Sequence, residues 1–308
     1  MTGPSFLCIG AQKAGTTWLY RALEDRTDLW LPPVKELHYF DEKRTDARSW
    51  YDLMRGTDGI AQRWRRQLGT ERRRRINEAD HPDAAARAAW SRRYFFEPAT
   101  PSWYASLFPD ELIGGDITPE YALLDVGGIE AALTVNPDLR IVYLLRHPIE
   151  REWSGAVMRN RGLGRSTDMV LRGGRRRHAR YLEHLDRWQA ALPAGRIFVG
   201  WFDDIARHPE ALLRELLDFL GASTVDPVPP AGRPNSGGSS TIPGRLAAPL
   251  AVELRPQLAE LANRLGGPAI GWAETGQWLE TVADTADIPY PFDRPGASPT
   301  STTSSLIL

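Results

Sequence analysis

A single cysteine, Cys8, stands in 308 residues, so no intrachain disulfide framework can staple this chain. A zinc or serine-triad hydrolase finds no support either, since neither H-E-x-x-H nor G-x-S-x-G occurs. An excess of one charge is also missing: 38 basic against 39 acidic residues leave a net charge of -1, which recommends neither nucleic acid nor an anionic membrane as partner. No apolar run reaches spanning length, no charged-then-apolar leader is visible, and no internal repeat appears; the expectation is a soluble, cytoplasmic, reduced protein. Lysine is scarce too. Lys13, Lys35 and Lys43 are the only three among the 38 basic residues. Where a chain so rich in arginine keeps lysine, a compact point charge can be what the position needs, and Lys13 sits where that matters. The plain surface-lysine reading weighs more for Lys35 and Lys43.

What is present suffices for a substantial core, with 42% apolar and 25% charged residues. A single domain is expected over 1–292, followed by a low-complexity, disordered tail over 293–308. Apolar runs at Ser5 to Ile9, Glu111 to Gly115, Leu139 to Leu145 and Arg196 to Trp201 read as strands. Helices are expected at Gly128 to Thr134, Pro148 to Asn160, Ala179 to Ala191, and Pro209 to Leu220 with Gly221 as the stop. Strands alternating with helices predict an α/β fold, a parallel sheet covered on both faces. The pattern weakens over about 42–110, where tryptophan and arginine accumulate. This variable helical insertion reads as a solvated helix pair docked by its tryptophans, with a lid over an acidic acceptor as the lesser alternative. Trp50, Trp90 and Trp103 are candidates to stack on a sugar or polyketide ring, although tryptophans more often anchor a core. Pro227 to Gly244, rich in Pro, Gly and Ser, reads as a loop.

The first strand opens into Gly10-Ala-Gln-Lys-Ala-Gly-Thr-Thr17, followed by Trp18, Leu19, Ala22 and Leu23 at helical spacing. A glycine turn between a buried strand and a helix offers backbone N–H groups and the positive end of the helix dipole, which suit a phosphate. The Walker form is not met: Thr16 follows the second glycine, and the lysine lies two places before it, at Lys13. Nor does the strand Ile141 to Leu145 end in a carboxylate for Mg²⁺; it ends in Arg146. A loop of this kind suits a donor whose departing group carries less charge than a γ-phosphate, as a sulfuryl group does, with lysine stabilising the leaving oxygen. Arg146-His-Pro-Ile-Glu-Arg-Glu-Trp-Ser154 then supplies a fork from Arg146 and a hydroxyl from Ser154 for a second phosphate.

With Lys35-Glu-Leu-His-Tyr-Phe-Asp41 and Gly115-Asp-Ile-Thr-Pro-Glu-Tyr121 added in order, the chain resembles the nucleotide-dependent sulfotransferase family over roughly 5–245. The pattern is closest to the heparan sulfate 3-O- and N-sulfotransferase branch. The resemblance implies a three-layer, P-loop NTPase-like fold of the nucleotide-kinase kind, and 3′-phosphoadenosine 5′-phosphosulfate (PAPS) as co-substrate without a metal. It implies that Gln12, Lys13, Ala14, Gly15, Thr16, Thr17 and Trp18 hold the phosphosulfate, with Lys13 at the bridging oxygen. Arg146 and Ser154 take the 3′-phosphate, and Glu36 is the catalytic base beside His38 and Asp41. The acceptor is a small molecule or glycan hydroxyl, or an amine. Two departures stand out. Ile117 occupies the place of a family lysine that reaches the sulfuryl oxygens, so another cation substitutes or Lys13 and backbone donors carry more. The family's closing loop is replaced by Asn235 to Arg245, whose Ser240 and Arg245 are candidates to cover the 3′-phosphate. Two other readings remain at this point: a Mg-ATP small-molecule kinase drawing its metal ligand from Glu120, Asp116 or Asp125, and a non-catalytic nucleotide-binding module.

Overall fold

The computed structural model describes residues 3–41, 84–163, 176–225, 241–289, 291–292 and 305–308. Its centre is a six-stranded sheet: β1 (Phe6–Gly10), β2 (Leu29–Trp30), β3 (Ile113–Ile117), β4 (Arg140–Leu145), β5 (Ile197–Trp201) and an edge strand from the end of the chain, β8 (Leu306–Ile307). The order is β2-β3-β1-β4-β5-β8, all parallel except β8, which runs antiparallel to β5. Strands β1 and β5 are buried along their whole length, as a sheet covered on both faces requires, and this is why they read as unbroken apolar runs. Close packing needs a glycine at 115: a methyl group there would lie 2.1 Å from the Phe6 ring on the neighbouring strand.

Helices flank the sheet. They are α1 (Thr16–Leu23), α2 (Ala84–Phe96), α3 (Pro101–Ala105), α4 (Val126–Val135), α5 (Pro148–Leu163), α6 (Tyr181–Ala191), α7 (Phe202–Arg207), α8 (Pro209–Leu220), α9 (Gly244–Leu265) and α10 (Pro268–Leu279). Helix α8 buries Leu212, Leu213, Leu216, Leu217 and Leu220 on one stripe and stops at Gly221, left-handed at φ 74°.

The expected α/β architecture is present, with strand positions within about two residues of expectation. The differences lie elsewhere. Residues 241–243, expected in a loop, form β6 (Thr241–Pro243), which pairs antiparallel with β7 (Asp287–Pro289). The helical hairpin α9–α10 was not among the expected helices; Pro249 and Pro256 sit inside α9, where proline removes a backbone donor. Burial of Leu246, Leu250, Leu254, Leu258, Leu261 and Leu265 along one face compensates for them. The tail expected to be disordered from 293 onward ends in order: Leu308 exchanges backbone hydrogen bonds with Ile197 and accepts one from Gly195. In the insertion, Trp90 and Trp103 are buried, and their indole N–H groups donate to Leu107 O (3.0 Å) and Arg93 O (2.9 Å). They anchor the core and offer no face to a sugar, which corrects that expectation. Trp50 and most of the insertion lie outside the described residues, as do Lys43 and Ser240.

Candidate active site

The strand order reverses direction between β1 and β4, and in open parallel sheets the crevice beyond the carboxyl ends of such strands takes the ligand. The loop after β1 and the turn after β4 meet there. Ala11 N–H donates to Leu144 O at 2.6 Å, and the Arg146 guanidinium donates from Nη1 to Lys13 O at 3.0 Å. Gly15 takes φ 95° to turn the loop into α1 and provides no side-chain cap. The amides of Thr16, Thr17 and Trp18 therefore open the helix without a capping side chain, at the positive end of its dipole. Ala14 departs from the expected cradle: its side chain is fully buried and its N–H closes a turn onto Ala11 O at 3.0 Å. Lys13 is also left-handed, at φ 71°. Gln12 reaches across to the short helix Pro119–Leu123 that follows β3, donating from Nε2 to Glu120 Oε1 at 3.1 Å.

The Lys35 to Asp41 stretch docks against the same opening. Tyr20 on α1 donates its hydroxyl to Pro32 O at 2.8 Å, tying this segment to the helix that carries the cradle. Glu36 and His38 both adopt left-handed backbone, φ 64° and 54°. Such conformations cost energy in non-glycine residues and persist where the surroundings hold them. Those surroundings are visible: Glu36 Oε1 accepts from Lys35 Nζ at 2.8 Å, and Glu36 Oε2 lies 3.6 Å from His38 Nε2. His38 Nδ1 lies 2.7 Å from Asp41 Oδ2, and Tyr39 N–H donates to the Tyr121 hydroxyl at 3.0 Å. The imidazole is buried, while the Glu36 side chain is 38% exposed, so the carboxylate faces the solvent opening and the histidine lies behind it.

Arg146 is held from several sides. Its Nε donates to Glu150 Oε2 at 3.0 Å, and its guanidinium lies 4.0 Å over the Phe202 ring. Glu150 in turn accepts the Phe292 N–H at 2.8 Å. Ser154 follows Glu150 by four residues on α5, and so lies on the same helix face one turn on. Arg245 is exposed in the first turn of α9, a helix that packs against α5.

Three carboxylates offered for magnesium each have another task. Asp116 is fully buried and accepts from the hydroxyls of Tyr104, Tyr121 and Thr118 at 2.8, 2.8 and 2.7 Å. Burial raises its pKa, against the three hydroxyl donors that lower it. Asp125 caps α4, accepting from Gly128 N–H at 2.9 Å. Glu120 accepts from Gln12 and lies 3.9 Å from both Arg177 Nη2 and His178 Nε2.

Sequence reasoning thus finds Gly10 to Thr17, Glu36, His38 and Arg146 at one opening. It misses the Tyr104–Asp116–Tyr121 network, Glu150, and the position of Lys35 beside the cradle. The scarcity of lysine was the one available signal for the last of these.

A family model described as the sulfotransferase family matches residues 4–227. No curated protein matches the chain. Among solved structures, the chain is similar to a sulfotransferase from Alicyclobacillus acidocaldarius, at 21% identity over 87% of this chain and 98% of that one, with a TM-score of 0.56. It is likewise similar to the sulfotransferase domain of the Synechococcus PCC 7002 olefin synthase, at 18% identity over 88% of this chain and 94% of that one, with a TM-score of 0.51. At these identities the likeness to the solved structures is one of fold.

Proposed function

The chain belongs to the sulfotransferase family, and from that premise we propose that it transfers a sulfuryl group from PAPS to a hydroxyl or amine of a small-molecule or glycan acceptor. The observation that carries the reading is the meeting of a helix-opening loop that carries Lys13, the Lys35 ammonium and the Glu36 carboxylate paired with it. The donor set fits the co-substrate: helix-opening amides, Thr16, Lys13 and Arg146 are donors or cations suited to phosphate oxygens, and the Lys35 ammonium stands beside Thr16.

When bound, PAPS supplies the sulfuryl group, the bond from sulfur to the 5′-phosphate oxygen breaking with its electron pair on that oxygen as the acceptor atom bonds sulfur. Glu36 takes the acceptor's proton. His38, lodged between Glu36 and Asp41, fixes that carboxylate's orientation. Lys13 and the amides of Thr16, Thr17 and Trp18 hold the phosphate end and neutralise charge as it develops there. Arg146 and Ser154 hold the 3′-phosphate, with Arg245 covering it. Each proton-transfer or electrostatic contribution is worth about 2–4 kcal/mol. The resemblance of the Lys35 to Asp41 stretch to the heparan-type branch supports the same role for Glu36.

The test is release of 3′,5′-bisphosphoadenosine from PAPS across a panel of phenolic, sugar and lipid hydroxyl acceptors. Glu36→Gln is expected to lower acceptor-dependent turnover by about 10²- to 10⁴-fold while sparing bisphosphate binding. Unchanged turnover removes Glu36 from the scheme.

A further inference from the structure

Lys35 has the sequence signature of a surface lysine beside an acid, yet its side chain is only 21% exposed. Its Nζ lies 2.8 Å from Glu36 Oε1 and 3.5 Å from Thr16 Oγ1. Thr16 opens α1; in the function proposed above it belongs to the phosphate cradle and Glu36 faces the acceptor. One ammonium group therefore reaches both ends of the crevice. In an in-line displacement the attacking and leaving oxygens sit on opposite sides of sulfur, and the three remaining oxygens form a belt between them. A cation that touches both flanks lies beside that belt.

The neighbouring strands bear on the same charge. Ile117, at the end of β3, pairs in register with Cys8 on β1 and is buried and apolar, so this position of β3 sends no cation toward the crevice. Burial pushes the Cys8 thiol up to about 12, and the Lys35 charge is among the influences that oppose it. The ammonium is thus close enough to be felt at the β1 and β3 junction that Ile117 leaves uncharged. The segment bearing Lys35 is fixed there by the Tyr20 hydroxyl on Pro32 O and by the left-handed backbone at Glu36 and His38.

We infer that Lys35 is a catalytic residue that binds the oxygens of the transferring sulfuryl group, exchanging its ion pair with Glu36 for them when the donor enters. Release of Glu36 from that pair makes its carboxylate available for the acceptor proton at the step where it is needed. The sulfur–oxygen bond to the 5′-phosphate breaks with its electrons on that oxygen, the new bond forms from the acceptor, and the proton passes to Glu36; Lys35 stays protonated throughout. The inference rests on the PAPS reading of the crevice.

Equilibrium binding separates the two. PAPS carries the sulfuryl group and 3′,5′-bisphosphoadenosine does not. Lys35→Gln is expected to weaken PAPS by about 10- to 100-fold, the worth of a charge-assisted hydrogen bond, and to leave the bisphosphate within about 3-fold, which also reports an intact fold. Lys35→Arg, which keeps the charge, is expected to retain most of the PAPS affinity. Equal weakening of both nucleotides, or of neither, overturns the role of Lys35 alone. Failure of the unmodified protein to bind either nucleotide overturns the donor reading, and this role with it.

Discussion

At the scale of single residues, burial rather than identity decides what the ionisable groups do. His147 follows Arg146 directly, is buried, and accepts the Ile149 N–H on Nδ1 at 3.2 Å. The Phe292 ring meets it edge-on at 5.3 Å, and Trp272 lies on another side at 6.0 Å. Burial, with the neighbouring Arg146 charge adding to it, lowers its pKa to about 3 from the ordinary 6.5. An unfolded chain takes up this proton as pH falls below about 6.5, and the folded one does not until about 3. The contribution of His147 to stability is thus fully present above the unfolded value and lost as pH drops through that window, by up to about 1.4 kcal/mol per pH unit. His147→Gln is expected to reduce the pH dependence of the urea midpoint between pH 6 and 4 by about one proton's worth. An unchanged slope contradicts the account.

The same scale shows which candidate site residues a sequence can disclose. Lys13, Glu36 and Arg146 are visible because their chemistry is tied to a local pattern: a glycine turn, a run with His and Asp, a strand ending in a cation. Asp116, Tyr104 and Tyr121 are not, since their hydrogen bonds join β3 to α3 and to the short helix that follows β3, and no local spacing encodes such a meeting. Lys35 fell between the two cases. Its neighbour Glu36 was legible, but its reach to Thr16 spans 19 residues.

Among the elements, the loop and α1 act as one piece because of a single glycine. A Cβ at Gly15 would sit 2.2 Å from Ile205 Cδ1 on α7, the short helix after β5. Gly15→Ala thus meets two costs, a left-handed backbone of about 1–2 kcal/mol and an overpacking term of about 1–3 kcal/mol. The overpacking part is expected to fall when Ile205→Ala is added, the backbone part to remain. Denaturant melts of the single and double variants check this; full recovery by the second substitution, or no loss from the first, contradicts the packing described. Element existence was well encoded for β1, β4, β5 and α8, where apolar periodicity is strong and the ends carry Gly or Pro. It was poorly encoded for α9, where two internal prolines outweigh a good apolar stripe locally and only tertiary burial decides.

For the whole molecule, the family match ends at residue 227, yet the structure continues into the crevice's surroundings. Trp272 on α10 meets Trp201 at the end of β5 and donates to Asp203 at 3.3 Å. Phe292 N–H caps the Arg146–Glu150 pair, so residues beyond the family region support Arg146 from behind. Such long-range docking was outside the reach of the sequence, whose motifs lie between Gly10 and Ser154. Among the described residues, no helix is long and apolar enough to cross a membrane.

The central claim is a bisphosphate-type nucleotide site formed by Gly10 to Thr17 and Arg146, and calorimetric titration tests it most directly. The protein is titrated with 3′,5′-bisphosphoadenosine and, separately, with ATP plus Mg²⁺. Because Arg146→Ala alone strands the buried Glu150 carboxylate, the variant is made together with Glu150→Gln. The account predicts tight binding of the bisphosphate without metal, weakened at least about 10-fold in the double variant, as loss of a charge-assisted fork to phosphate implies. Preference for Mg-ATP, or bisphosphate binding indifferent to Arg146, would contradict it.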